Sequence, residues 1–322
     1  MKKIILVLML AVWSWGYVDT VYVDPGATGS GDGTSWADAF TTLQAGYSES
    51  DSGYLVLAQG REVLTEGVSL NLNSYIKIEG YNGFYTLDAD GTSTSCIDSV
   101  SADYITLDHI ICVNAAGVGI DLSEGGLYTT ISYCKIKHSG SIGINASADC
   151  IIEHCDIDTN GGVGIRGNGR FIKIQYTSVS GNVSGGIYSH NTDHHTIFCN
   201  TITGNGNYGI TIDAGNVVLN NVIDGNVTGI ILYSTSTSTS NTISNNRITN
   251  NTLGMDLKDM PLPNMKYNYF AGNITDTANF IFTPDTTNQF GLTDGYVGRD
   301  TLNFTLLEDA EMRLIPLTIG AE

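Results

Sequence analysis

From position 190 the chain reads His-Asn-Thr-Asp-His-His, three imidazoles and a carboxylate within six residues. His190, Asp193, His194 and His195 are donors of the kind that hold zinc or another transition ion. The run straddles a strand end and a turn, which would aim its side chains apart, so an ordinary polar turn competes with a metal site. His190 also offers other chemistry. Paired with Asp213 it could act as a general base, with Tyr188 or Arg166 supporting an oxyanion. The same neighbourhood could instead bind without reacting. Tyr188, His190, Asp213, Tyr233, Arg166 and Asn168 combine aromatic faces with amide, acid and guanidinium groups, a mixture suited to a sugar chain. Whether these residues meet depends on the elements that carry them.

Those elements repeat. The segments ISYCKIKHSGSIGIN from Ile131, IEHCDIDTNGGVGIR from Ile152, IQYTSVSGNVSGGIY from Ile174 and IFCNTITGNGNYGIT from Ile197 align column by column. VLNNVIDGNVTGII from Val218 and ISNNRITNNTLGMD from Ile243 continue the series, with starts 21, 22, 23, 21 and 25 residues apart. An earlier copy begins at Leu107 and a degenerate one at Met265. A period near 22 in a β-type sequence marks a solenoid. Five residues after each start stands Ile136, Ile157, Val179, Ile202, Ile223 or Ile248. Gly-apolar pairs close each unit, from Gly143-Ile144 to Gly254-Met255. Three short strands fit in a period and a helix does not, so the expectation is an all-β parallel β-helix of about nine to ten coils, three strands per coil.

Two asparagine columns mark the bends: Asn200, Asn221, Asn246 and Asn268, and Asn160, Asn182, Asn205, Asn226, Asn251 and Asn273. Asparagine tolerates the left-handed backbone of a sharp turn, and stacked amides can bond along a ladder. Alternation in the Gly-apolar strand gives two outward positions per coil. The first column reads Asp121, Asn145, Arg166, Tyr188, Thr211, Ile231, Asp256; the second reads Ser123, Ser147, Asn168, His190, Asp213, Tyr233, Lys258. With coils about 4.8 Å apart, His190 and Asp213 become neighbours beside Arg166 and Tyr188.

The repeat columns and the asparagine ladder resemble those of right-handed, pectin-lyase-like β-helix proteins, over roughly Tyr22 to Asn273. The resemblance implies a right-handed solenoid whose function sits on an outer sheet. Family catalytic motifs are missing. Asn191-Thr192-Asp193 is similar to the first polygalacturonase motif, but the chain has no Asp-Asp, no His-Gly and no Asp-Pro-His. Arg166 and Lys258 would stand four coils apart, about 19 Å. The expectation is therefore a non-enzymatic extracellular protein, either glycan-binding (a surface adhesin) or a phage-type fibre. A polysaccharide lyase, hydrolase or epimerase is the alternative.

The ends differ from the repeats. Residues 1–16, two lysines and then an apolar run from Ile4 to Trp13, have the pattern of a secretory signal peptide, too short to span a bilayer. The mature chain has no other apolar run of membrane-spanning length, so export to the cell surface or beyond is expected. Residues 17–53 are assigned to an N-terminal cap in which Ser35 starts a helix with Asp38 three residues on, and Trp36, Phe40 and Leu43 share a face. Such a cap would cover the open end of the β-helix core. The solenoid is placed at 54–285 and a C-terminal cap at 286–322. Ser234–Ser240, STSTSTS, is a low-complexity loop. The glycines near Gly29 to Gly33 lack the βαβ unit a nucleotide site needs, so no cofactor is expected; Asp24 or Asp32 could hold calcium. Six cysteines would permit three disulfides, but their positions in the repeat favour small core residues. With 14 basic against 33 acidic residues the net charge is −19, which makes nucleic acid and bare polyanions poor partners unless cations bridge the contact; the partner expected is a glycan surface.

Overall fold

The computed structural model describes residues 19–290 except 72, 99–100, 190–193, 234–240, 259–262 and 279–287. Its strands form three parallel sheets of 11, 10 and 11 strands, each taking about every third strand of the chain. This is a right-handed parallel β-helix. The aligned columns of the sequence are its ladders. Ile131, Ile152, Ile174, Ile197, Val218, Ile243 and Met265 are successive register partners in one sheet. Ile136, Ile157, Val179, Ile202, Ile223, Ile248 and Phe270 pair likewise in a second. Ile144, Ile165, Ile187, Ile210, Ile230 and Met255 line the third. All are buried in one continuous core. Each such side chain contributes about 1.5–3 kcal/mol through burial, so like-on-like stacking makes every coil the template for the next.

The ladder runs beyond the expected limits of 54 and 285. Thr20–Val23 pairs with Leu55–Ala58, and Tyr269–Ala271 pairs with Gln289–Phe290. The helix expected from Ser35 is not found. The Asp38 carboxylate accepts the Ser35 hydroxyl and the Ser30 N–H, while the Asp38 N–H returns to Ser35 Oγ. Phe40 then exchanges backbone hydrogen bonds with Tyr22 and Asp24, which commits it to extended pairing. A six-residue helix starts only at Leu43, where Thr42 Oγ1 accepts the Ala45 N–H. Leu43 and Tyr47 of that helix enter the core, and the buried Glu62 carboxylate receives both the Leu43 N–H and the Tyr85 hydroxyl. Residues 1–18 and 291–322 lie outside the described residues, as do the expected signal segment and most of the C-terminal cap.

The turns divide labour differently from expectation. The left-handed residue is not the column asparagine but the residue before it. His109, Tyr133, His154, Tyr176, Cys199, Asn220, Asn245 and Tyr267 all have φ between 51° and 58°. The column asparagines point inward and are buried. Asn200 Nδ2 donates to Asn221 Oδ1 at 3.0 Å, Asn221 to Asn246 at 3.0 Å, and Asn246 to Asn268 at 3.0 Å. Each amide oxygen also accepts the backbone N–H of the preceding coil's asparagine, so the bend's buried polar groups are satisfied. Earlier coils carry Cys134, Cys155 and Thr177 in that column. There the outer, left-handed residues stack instead: His109 on Tyr133 at 5.1 Å, Tyr133 on His154 at 4.8 Å, His154 on Tyr176 at 5.1 Å. Ring stacking of about 0.5–1.5 kcal/mol per pair offsets a backbone conformation that bulky residues disfavour.

The glycine column has a separate cause. None of Gly143, Gly164, Gly186, Gly209, Gly229 or Gly254 has positive φ. A Cβ on Gly209 would lie 2.7 Å from the Gly229 carbonyl oxygen and 2.8 Å from Ile223 Cγ2. Space, not conformation, demands glycine here. Gly209→Ala is expected to destabilise by roughly 1–3 kcal/mol through overpacking, read as a lower urea midpoint. Gly204→Ala, with open space but positive φ, should cost only about 1 kcal/mol.

Candidate functional site

The sheet built from the Gly-apolar strands carries the outward columns in the expected register. Asn145 pairs with Arg166, Arg166 with Tyr188, Tyr188 with Thr211, Thr211 with Ile231, and Ile231 with Asp256. Tyr233 pairs with Lys258 in the second column. The face is not the open polar sheet that alternation implies. Thr211 is 0% exposed, Asp213 3% and Ile231 8%, although the first and third face outward. Tyr208 lies on the same strand as Thr211, and its ring carbons come within 2.4–2.7 Å of the point where a Cβ on Gly185 would sit. Only glycine at 185 lets this ring lie back across the previous coil. Tyr208 then meets Tyr188 at 6.2 Å between centroids. Tyr233 stands one coil further on, with Lys258 Nζ 5.5 Å from its ring centre.

The electrostatics of the patch are mixed. Partial burial pushes the Tyr188 phenol up, offset by the Arg166 guanidinium and reinforced by Asp213 and Tyr233. Deeper burial raises Tyr208 further. Both hydroxyls are therefore neutral donors at physiological pH. Arg166 is exposed, its guanidinium carbon 6.0 Å from the Tyr188 ring centre. Upstream, Asn168 donates to Asn145, and Asn145 Nδ2 donates to Asp121 at 2.9 Å, a polar ladder on the same face. At the centre, the buried Thr211 hydroxyl finds no hydrogen-bond partner among the described residues. The Ser139 and Ser189 hydroxyls are orphaned in the same way, and each such group costs about 1–3 kcal/mol.

The histidine run resolves in part. His190 and Asp193 lie outside the described residues. His194 is exposed and left-handed and packs on Phe171 at 5.3 Å. His195 is buried at 1% exposure. Its Nδ1 accepts the Ile172 N–H at 3.2 Å, while its own N–H donates to Asn216 Oδ1 and the Asn216 N–H to Asn241 Oδ1. His195 thus takes the place of an asparagine in a third inward ladder. One imidazole faces out and the other in, so His194 and His195 do not converge on a metal. Asp24 and Asp32 are likewise occupied: Asp24 by the Gly26 N–H and Gln59, Asp32 by Ser30 and Thr34, whose hydroxyl and N–H hold its carboxyl below the usual range. All six cysteines are free, and five are buried.

Fold and face together define a pectin-lyase-like β-helix, a solenoid presenting one aromatic outer sheet. Residues 99–290 match the periplasmic copper-binding protein (NosD) family, and the chain belongs to that family. No protein of curated function matches the sequence. Among solved structures the chain is similar to pectate lyase Pel9A, with 14% identity, TM-score 0.58, and coverage of 90% of this chain and 83% of that one. It is also similar to XylC in complex with xylose, at 12% identity and TM-score 0.63, covering 78% of this chain and 68% of that one. The A-module of the Azotobacter vinelandii mannuronan C-5 epimerase AlgE6 follows at 14% and 0.53, covering 74% and 80%. These likenesses are of fold.

The family description implies copper, whose sites gather thiolates or imidazoles. Among the described residues no group of three or more His, Cys, Asp or Glu converges. Burial raises the Cys134 thiol well above its ordinary range and Cys150 to about 12, while contact with Cys96 and burial raise Cys112. Core thiols of this kind stay protonated, and His195 is committed to its ladder. The described residues do not fit a resident copper ion. No helix among them is long and apolar enough to cross a membrane.

Tyr208 was invisible to sequence reasoning. The signal was available in retrospect: a tyrosine in the aligned column where the previous coil has Gly185 in place of a side chain.

Proposed function

We propose that the protein is a non-enzymatic carbohydrate-binding β-helix of an exported compartment, with Tyr188, Tyr208, Tyr233, Arg166 and Asp213 around Thr211 as its working face. One observation carries this reading: an outward but buried threonine, in register with Tyr188 and on the strand of Tyr208, whose hydroxyl has no hydrogen-bond partner among the described residues. Aromatic rings offer apolar surfaces to sugar rings, and an orphan hydroxyl offers the hydrogen bond that a sugar hydroxyl completes. The xylose in the XylC complex belongs to that protein; it supports carbohydrate as the first ligand class to test.

Tyr188→Ala is expected to weaken glycan binding by roughly 1–3 kcal/mol, by analogy with lost aromatic stacking, and to leave the melting temperature nearly unchanged. Calorimetric titration on oligosaccharides chosen from a glycan array, run with a reducing-end and unsaturated-product assay, checks both parts. Turnover that drops a hundredfold or more in His190→Ala, with binding intact, would replace this reading with an enzymatic one.

A further inference from the structure

We propose that the glycan taken by this face is sparsely acidic: a mostly neutral chain with one isolated carboxylate held by Arg166. The inference rests on the carbohydrate-binding reading above and adds the charge pattern of the ligand. Its starting point is Arg166. Several described cations have carboxylates at hand, among them Lys258 on this same face. Arg61, Lys77, Lys137 and Lys258 each contact one. Arg166 makes no ion pair among the described residues, although it is exposed and faces outward. Its register partners are neutral, Asn145 on one side and Tyr188 on the other. The Asn145 amide is already engaged by Asp121 and Asn168, so it does not supply the missing counter-charge. A planar guanidinium beside an aromatic ring, with its donors unspent, is built for a carboxylate.

The rest of the face selects against further negative charge. Two coils beyond Arg166, about 10 Å along the axis, stands the Thr211 hydroxyl, which can bond a sugar hydroxyl but offers no charge. It is fully covered, so a ligand reaches it only when a covering group moves. Asp213 lies on the same coil and Asp256 two coils further on, both nearly buried. A second ligand carboxylate placed beside Asp213 would meet like charge in a poorly solvated setting. The net charge of −19 adds a long-range penalty for any polyanion. One acid at the Arg166 end and neutral sugars beyond it is the pattern that satisfies each of these groups.

The test uses the full chain and matched probes: unsubstituted β-xylan and β-glucan oligosaccharides, the same oligosaccharides bearing one glucuronic acid, and trigalacturonate. The singly acidic probe on at least one backbone should bind about tenfold tighter than its neutral counterpart at low salt, with the advantage shrinking as salt is added. Arg166→Gln should erase that advantage. Trigalacturonate should bind more weakly than the singly acidic probe. Thr211→Val should weaken neutral and acidic probes alike without lowering the melting temperature, because it removes the orphan hydroxyl while keeping the shape. Equal binding of neutral and singly acidic probes by the parent overturns the proposal, as does tighter binding of trigalacturonate. Either result leaves the carbohydrate-binding reading standing. Failure of every probe to bind removes both.

Discussion

Ile165→Asp is expected to abolish folding, whereas its neighbour Arg166→Asp leaves the solenoid folded. Ile165 is 0% exposed and stacks in register between Ile144 and Ile187. A carboxylate there would sit in a dry column with no polar group provided for it, at a cost of several kcal/mol. Typical domain stability is about 5–15 kcal/mol, so the loss is a large share of the whole. Arg166 faces water, and exchanging its charge alters no core contact. Circular dichroism melts of the two variants decide the matter. Similar melting temperatures would mean that the two side chains do not point to opposite sides of the sheet.

The second large effect is expected at Asn221. Its side-chain oxygen accepts both the Asn200 N–H at 2.9 Å and Asn200 Nδ2 at 3.0 Å. Its own amide donates to Ile197 O at 2.9 Å and Asn246 Oδ1 at 3.0 Å. Asn221→Leu would keep the volume but orphan two buried donors and deprive two acceptors. At about 1–3 kcal/mol per unsatisfied group, a loss of about 3 kcal/mol or more follows. The control is Asn220→Gly one residue earlier. Asn220 holds a left-handed φ of 58°, which glycine adopts without strain, so stability should stay within about 1 kcal/mol. Urea denaturation of both variants reads the contrast. Equal losses would show that the turn, rather than the inward ladder, sets the stability of this corner.

The solenoid was legible in the sequence because its physics repeats. A parallel ladder places like residue over like residue, so Ile136, Ile157, Val179 and their successors record the register directly. The turns were half legible. Asparagine was correctly read as a ladder residue, but the left-handed role falls on the residue before it. That position accepts Tyr, His, Cys or Asn according to what stacks outside, so it leaves no column of one residue type. The Ser35 helix failed because the pairing of Phe40 with Val23 and Tyr22 is a long-range contact that local spacing does not encode. On the candidate face, alternation placed Arg166, Tyr188 and Tyr233 outward. It could not show that Tyr208 leans across Gly185, nor that Thr211, Ile231 and Asp213 are buried. Burial on an outer sheet depends on how rings lean between coils, and that is set by absent side chains as much as by present ones.

The inward ladders also make the length of this molecule adjustable. Asn200 bonds Asn221 with the same atoms, and nearly the same distances, as Asn221 bonds Asn246. Excision of the coil between them would bring Asn200 against Asn246 with every donor and acceptor matched. Duplication of that coil would insert an equivalent rung. The other corners obey the same rule, since Asn205 meets Asn226 as Asn226 meets Asn251. Whole-coil gain or loss is therefore close to neutral for the fold, while a register shift within the strands breaks three ladders at once. The outer face behaves oppositely, because Tyr188, Thr211 and Tyr233 belong to different coils and their spacing is counted in rungs. The scaffold is thus a ruler on which lineages can add or remove graduations, and what the face can grip is set by how many graduations separate its marks.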